Sequence, residues 1–154
     1  IPKEVNFQIQ LLKQANENGG LRKYNEIWIK PHPNLPLDNI LKETTPNFNF
    51  NLLTKSIIDL MQSTDVVYCS NSTGTSLEAA WLGIPLIILA PQDYMNLNPL
   101  FGFPGQLFVK NSLELISALE NPKPIDMPKD YFFLDEKLHS WNKLLNTNQP
   151  SKTL

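Results

Sequence analysis

The stretch from residue 65 to 89 constrains the fold more than any other part of the chain. Asp65-Val66-Val67-Tyr68-Cys69 is a short continuous apolar run, the pattern of a strand covered on both faces in a parallel sheet. It gives way to Ser70-Asn71-Ser72-Thr73-Gly74-Thr75-Ser76. A helix is then expected from about Ser76 to Leu82, with Thr75 and Glu78 spaced as a capping box, Gly83 as the stop and Pro85 just beyond. Pro85 to Leu89 is a second strand of the buried type. Strands of this kind alternating with helices predict an α/β sheet of parallel strands with helices on both faces.

The rest of the chain repeats the alternation. From Glu4 to about Asn16, Val5, Ile9, Leu12 and Ala15 recur at helical spacing, and the stripe stops at Gly19-Gly20. Tyr24 to Lys30 reads as a strand, Leu37 to Lys42 as a short helix, and "NFNF" at 47–50 as a strand with period-two alternation. Leu53, Ile57, Leu60 and Met61 share one helical face between Leu53 and Gln62. After Leu89 comes a long loop, 90–105, of the kind that often carries function. A strand from Gln106 to Val109, a helix from Ser112 to Leu119, a Pro-rich connector at 122–128 and a helix from Leu134 to Leu145 complete one domain, 1–146. The tail, 147–154, is expected to be disordered.

Composition sets limits on function. With 154 residues, 42% hydrophobic, the chain is long enough for one domain with a real core. A formal charge of -2 gives no general attraction to nucleic acid or anionic lipid, so any anion site must be local. No apolar run is long enough to span a membrane, and "IPKEVNF" has neither an initiating Met nor a signal-like region. The chain is expected to be a piece of a longer protein. The single cysteine, Cys69, rules out an internal disulfide and fits a reducing, cytoplasmic setting.

Two short stretches carry the candidate chemistry, and both begin at the carboxyl end of an expected strand, where open α/β sheets bind ligands. The first is Ser70 to Ser76. Backbone N–H groups at a helix start, with Ser and Thr hydroxyls added, suit a phosphate, and Gly74 permits close approach or positive φ. Capping alone would need one hydroxyl, whereas Ser70, Ser72, Thr73, Thr75 and Ser76 all carry one. Glu78 either closes the capping box or accepts from ribose hydroxyls. The second stretch is Lys30-Pro31-His32-Pro33-Asn34, in which the prolines restrict their neighbours and so aim the imidazole. Lys30 and His32 are candidates to reach the same phosphate, as against a histidine that serves only its own loop. His139 reads as structural or surface, Cys69 as a core residue, and Asp93 and Tyr94 as possible pocket lining. No spacing fits a zinc or calcium site, a P-loop or G-x-G-x-x-G, so neither metal nor cofactor is expected.

Taken together, "IWIKPHPN" and "DVVYCSNSTGTSLEAAWLGIPLIIL" resemble the carboxyl-terminal, donor-binding half of GT-B fold glycosyltransferases. The likeness is to bacterial surface-polysaccharide enzymes of the sialyltransferase and capsule or lipopolysaccharide type. In those families a His-Pro pair and a Ser/Ser-Thr pair hold the phosphate and nucleotide of a CMP-sugar; His32-Pro33 and Ser72-Thr73 match them. Glu78, Ala79, Gly83 and Pro85 match the E-A-x-x-x-G-x-P segment shared widely among GT-B proteins. The resemblance covers about residues 25–90 and implies a Rossmann-like parallel sheet flanked by helices, binding a CMP- or UDP-linked nucleotide sugar. It makes His32 the catalytic candidate, with Lys30, His32, Pro33, Ser70, Ser72, Thr73, Gly74, Thr75 and Glu78 at the donor phosphate and nucleoside. It also implies an amino-terminal acceptor domain as partner, and a first strand ahead of the opening helix, both missing here. The domain is therefore not expected to catalyse transfer alone; the full-length protein would sit in the cytoplasm or peripherally at the inner membrane. Alternatives are a UDP-N-acetylglucosamine 2-epimerase-like domain, in which Ser-Gly-Gly would replace Ser72-Thr73-Gly74 and an acidic residue Leu77, a polyol-phosphate transferase domain, or a non-catalytic α/β interaction module.

Overall fold

Leu86-Ile87-Ile88-Leu89 is buried along its whole length, and its side chains alternate between two separate cores. In this computed structural model residues 2–35, 37–90, 93, 95–128, 131 and 137–146 are described. The element order is α1 (Pro2–Glu17), β1 (Trp28–Ile29), α2 (Asp38–Thr44), β2 (Asn51–Leu52), α3 (Ile57–Met61), β3 (Val67–Cys69), α4 (Thr75–Trp81), β4 (Leu86–Leu89), β5 (Phe108–Val109), α5 (Ser112–Glu120) and α6 (His139–Asn146). The fold is α/β, with every described strand pair parallel and helices alongside, as expected of a Rossmann-like protein.

The strands form two small sheets where one was expected. One is β1-β2, with Trp28 opposite Asn51; the other is β3-β4-β5, with Val67 opposite Leu86 and Ile88 opposite Phe108. On one face of β4, Ile87 and Leu89 pack with Val109, with Leu11 and Ala15 of α1 and with Leu115, Ala118 and Leu119 of α5. On the other, Leu86 and Ile88 pack with Ala79 and Ala80 of α4, Met61 of α3, Leu100 and Ile125. A third cluster joins Ile9 of α1 to Leu37 and Ile40, with Val5, Ile29 and Leu35 against it. Helix α1 thus packs on both sheets, because Ile27, Phe48, Val66 and Tyr68 all lie against the first core.

Several boundaries differ from expectation. Of the strand expected over Tyr24 to Lys30, the ladder takes only Trp28–Ile29, and Tyr24 instead ends a turn, its N–H bonded to Leu21 O at 3.0 Å. "NFNF" is not a strand, although its alternation is real: Phe48 and Phe50 are half-buried and their rings lie 5.8 Å apart. Pairing starts one residue later, at Asn51, and continues through Leu53, whose N–H bonds Ile29 O at 3.0 Å, so α3 cannot begin before Ser56. The capping box does not form. Helix α4 begins after Gly74, which places Thr75 inside it and leaves Glu78 exposed, while the Thr73 hydroxyl accepts from the Thr75 N–H at 3.2 Å. The helix end is as read: Gly83 has φ +69, and the pair Gly83 N–H to Ala80 O (3.1 Å) and Ile84 N–H to Ala79 O (2.9 Å) is a Schellman motif. Of the last expected helix, only His139–Asn146 is described as helix, and the 147–154 tail lies outside the described residues.

Candidate functional site

The loop after β1 is a β-turn. His32 O accepts from Leu35 N at 2.9 Å, which puts Pro33 at the second turn position, where its fixed φ is suited. Inside that turn His32 Nδ1 accepts the Asn34 N–H at 3.2 Å. The proton of the neutral ring therefore sits on Nε2, and the residue is exposed. Lys30 is half-buried and its ammonium donates to the Pro31 carbonyl at 3.3 Å.

The loop after β3 is built more tightly. The Asn71 N–H donates to Glu4 Oε1 at 2.6 Å, and the Ser72 hydroxyl to Glu4 Oε2 at 3.3 Å. Glu4, on the first turn of α1, is only 8% exposed. The anion that this loop holds in the structure is therefore the chain's own carboxylate. Thr73 Oγ1 donates to Thr75 Oγ1 at 3.1 Å, and Ser76 Oγ, fully buried, donates to Thr73 O at 3.0 Å. Asn98 reaches in from the long loop: its Nδ2 donates to Asn71 O at 3.0 Å and to Ser76 Oγ at 3.2 Å, and its Oδ1 accepts from Leu100 N at 2.9 Å. Asn71 itself is 0% exposed, and neither end of its side-chain amide has a partner. An unpaired buried amide costs about 1–3 kcal/mol, which makes this position the least satisfied in the loop.

Gly74 has φ -69, an ordinary helical value, and a Cβ built there would meet nothing within 4 Å. The chain's own backbone and packing do not call for glycine at this position. Ser70 is half-buried, Ser72 and Gly74 are exposed, and Thr73 and Thr75 are half-buried.

Among the described residues no hydrogen bond joins 30–34 to 70–75. What meets both loops is α1, through Glu4 at Asn71 and Ser72 and through Val5 in the cluster with Ile29 and Leu35. Two surface grooves, of about 470 Å³ between β5 and α5 and about 600 Å³ between α1 and α2, include none of the expected site residues. Sequence reasoning missed Glu4 and Asn98, which sit 67 and 27 residues from their Asn71 partner, beyond any local pattern.

Cys69 is a core residue, 6% exposed; burial first, and the Glu4 charge second, push its thiol up to about 12. Burial, then Cys69 and Glu4, likewise raise the Tyr68 phenol, so both groups stay protonated at neutral pH. His139 opens α6 and is exposed, Asp93 is exposed, and Tyr94 lies outside the described residues. No group of three His, Cys, Asp or Glu side chains placed to hold a metal ion occurs among the described residues, and none of their helices is long and apolar enough to cross a membrane. Comparison of the chain with protein-family models, curated proteins and solved structures finds no match.

Proposed function

We propose that this domain binds the nucleotide-sugar donor of a bacterial glycosyltransferase for surface carbohydrate, a CMP-linked sugar ahead of a UDP-linked one. The observation that carries the reading is the 70–75 loop. It leaves the carboxyl end of a parallel strand, the position at which α/β sheets take ligands, and at Gly74 it opens on space where the chain itself has no use for a glycine. Ser72, Thr73, Gly74 and Thr75 hold the phosphate. His32 presents its Nε2–H from the β1 loop, oriented by the Asn34 bond to Nδ1, and Lys30 supplies positive charge beside it. Negative charge grows on the phosphate as the glycosidic bond breaks, so these donors stabilise the transition state; His32 gives the leaving phosphate a proton only from its charged ring, a step that requires the Asn34 bond to Nδ1 to open. Glu78 and the backbone near Pro31 face the nucleoside. Transfer requires the acceptor domain of the same protein, working in the cytoplasm or at the inner face of the membrane.

One observation favours a second reading, a non-catalytic α/β interaction module. A phosphate cannot share the Asn71 N–H and Ser72 hydroxyl with the Glu4 carboxylate without like-charge repulsion, so these donors are already spoken for. Calorimetric titration with CMP, UDP, GMP and inorganic phosphate separates the two. The donor-site reading expects CMP to bind, UDP to bind more weakly, and the His32→Ala variant to lose about tenfold in affinity for CMP. No binding by any of the four leaves the interaction module standing.

A further inference from the structure

Glu4 holds the loop after β3 in an arrangement that leaves one of the loop's own groups unmet. The carboxylate is 8% exposed, and both of its partners are neutral donors, the Asn71 N–H at 2.6 Å and the Ser72 hydroxyl at 3.3 Å. Neutral donors offset the lost hydration of a buried charge less fully than a cation does. The backbone of Asn71 is gripped at both ends, its N–H by Glu4 and its carbonyl by the Asn98 amide at 3.0 Å, while its fully buried side-chain amide is bonded at neither. A buried amide with no partner is uncommon in a folded chain, and it points to a loop with a second arrangement in which that amide is bonded.

The same turn of α1 reaches the other candidate loop. Val5, next in sequence, packs in the cluster that includes Ile29 and Leu35, which flank the 30–34 stretch. Successive helical residues point about 100° apart, so one turn serves both loops, Glu4 towards 70–75 and Val5 towards 30–34. Departure of Glu4 from its donors therefore disturbs the seat of the His32 loop as well.

We infer that Glu4 is an internal occupant of the phosphate position and gates it: a phosphate takes the Asn71 N–H and the Ser72 hydroxyl only as the Glu4 carboxylate leaves them. The inference rests on the donor-site reading above and adds its regulation, since the loop's affinity for anions is set by a carboxylate on a different element. Two anions cannot share these donors, so apparent affinity is reduced by the fraction of molecules in which Glu4 holds the loop. A carboxylate that merely braces the loop has the opposite effect when its charge is removed, because the donors lose their alignment and binding weakens.

The test titrates inorganic phosphate and CMP calorimetrically into the full chain and into its Glu4→Gln variant. Glutamine keeps an acceptor for the Asn71 N–H at the same side-chain length and drops the charge. The gate predicts binding tighter by about tenfold or more in Glu4→Gln for both ligands. In the parent chain it predicts that the resonance of the Glu4 carboxyl carbon and that of the Asn71 amide move along one saturation curve as CMP is added, which decides the matter if the variant does not fold. Equal or weaker binding by the variant, or a Glu4 resonance that stays still while CMP binds the parent, overturns the gate and leaves the donor site standing. Failure of parent and variant alike to bind either ligand overturns the donor-site reading and the gate with it.

Discussion

Glu4 shows how much one side chain settles in this molecule. A carboxylate at 8% exposure needs partners, and it finds the Asn71 N–H and the Ser72 hydroxyl, tying the start of the chain to the loop after β3. The same charge bears on Tyr68 and Cys69, whose protons are held mainly by burial and further by Glu4. The thiol carries a consequence for stability. Its ordinary value is 9.0 and its folded value is about 12, so the unfolded chain gives up this proton first as pH rises. The stability linked to Cys69 is complete below pH 9 and is lost progressively from there towards 12. Denaturant midpoints are expected to fall between pH 9 and 11, and the fall is expected to be shallower in Cys69→Ala, with Tyr68 and Tyr24, both raised chiefly by burial, contributing to the slope that remains. Identical slopes in the two proteins would show that the thiol is not held protonated by the fold. That Cys69 lies in the core was legible in the sequence; the part of Glu4 was not, because there it is one acidic residue on a helical stripe and its partners lie far along the chain.

At the scale of elements, what could be read locally was read well. Gly83 and Pro85 mark the end of α4 because a left-handed residue after a helix is a local requirement, and the Schellman bonds to Ala79 and Ala80 meet it. Gly83→Ala adds a side chain where none is in the way but forces it to φ +69, so thermal unfolding should show a loss of about 1 kcal/mol. A loss near zero would mean that the helix end relaxes to another conformation. The start of the same helix was misjudged by one residue: the Thr73 hydroxyl accepts from the Thr75 N–H, and the Glu78 N–H that a Thr75 cap was expected to serve bonds the Gly74 carbonyl at 3.4 Å. Strands were read too long for a related reason: apolar runs and alternation report burial, whereas a strand also needs a neighbour. Phe48 and Phe50 are half-buried without one, and Asn51–Leu52 are paired while exposed.

Across the whole molecule, α1 takes the central place, and its sequence alone predicted only a helix. It covers both small sheets and contacts the loops after β1 and β3. The parallel α/β class was legible because β4 and the β3–α4–β4 unit carry unambiguous local signals. The division into two sheets was not, because it depends on which edges remain unpaired. The functional proposal is likewise a statement about the whole: loops from two different sheets must meet at one phosphate. Nuclear magnetic resonance during a CMP titration tests this most directly, following the His32 Nε2 resonance together with the backbone amides of Ser72, Thr73 and Gly74. The account predicts that all four move along one saturation curve. Loop amides that shift while His32 stays still, or no shift in either, would contradict it.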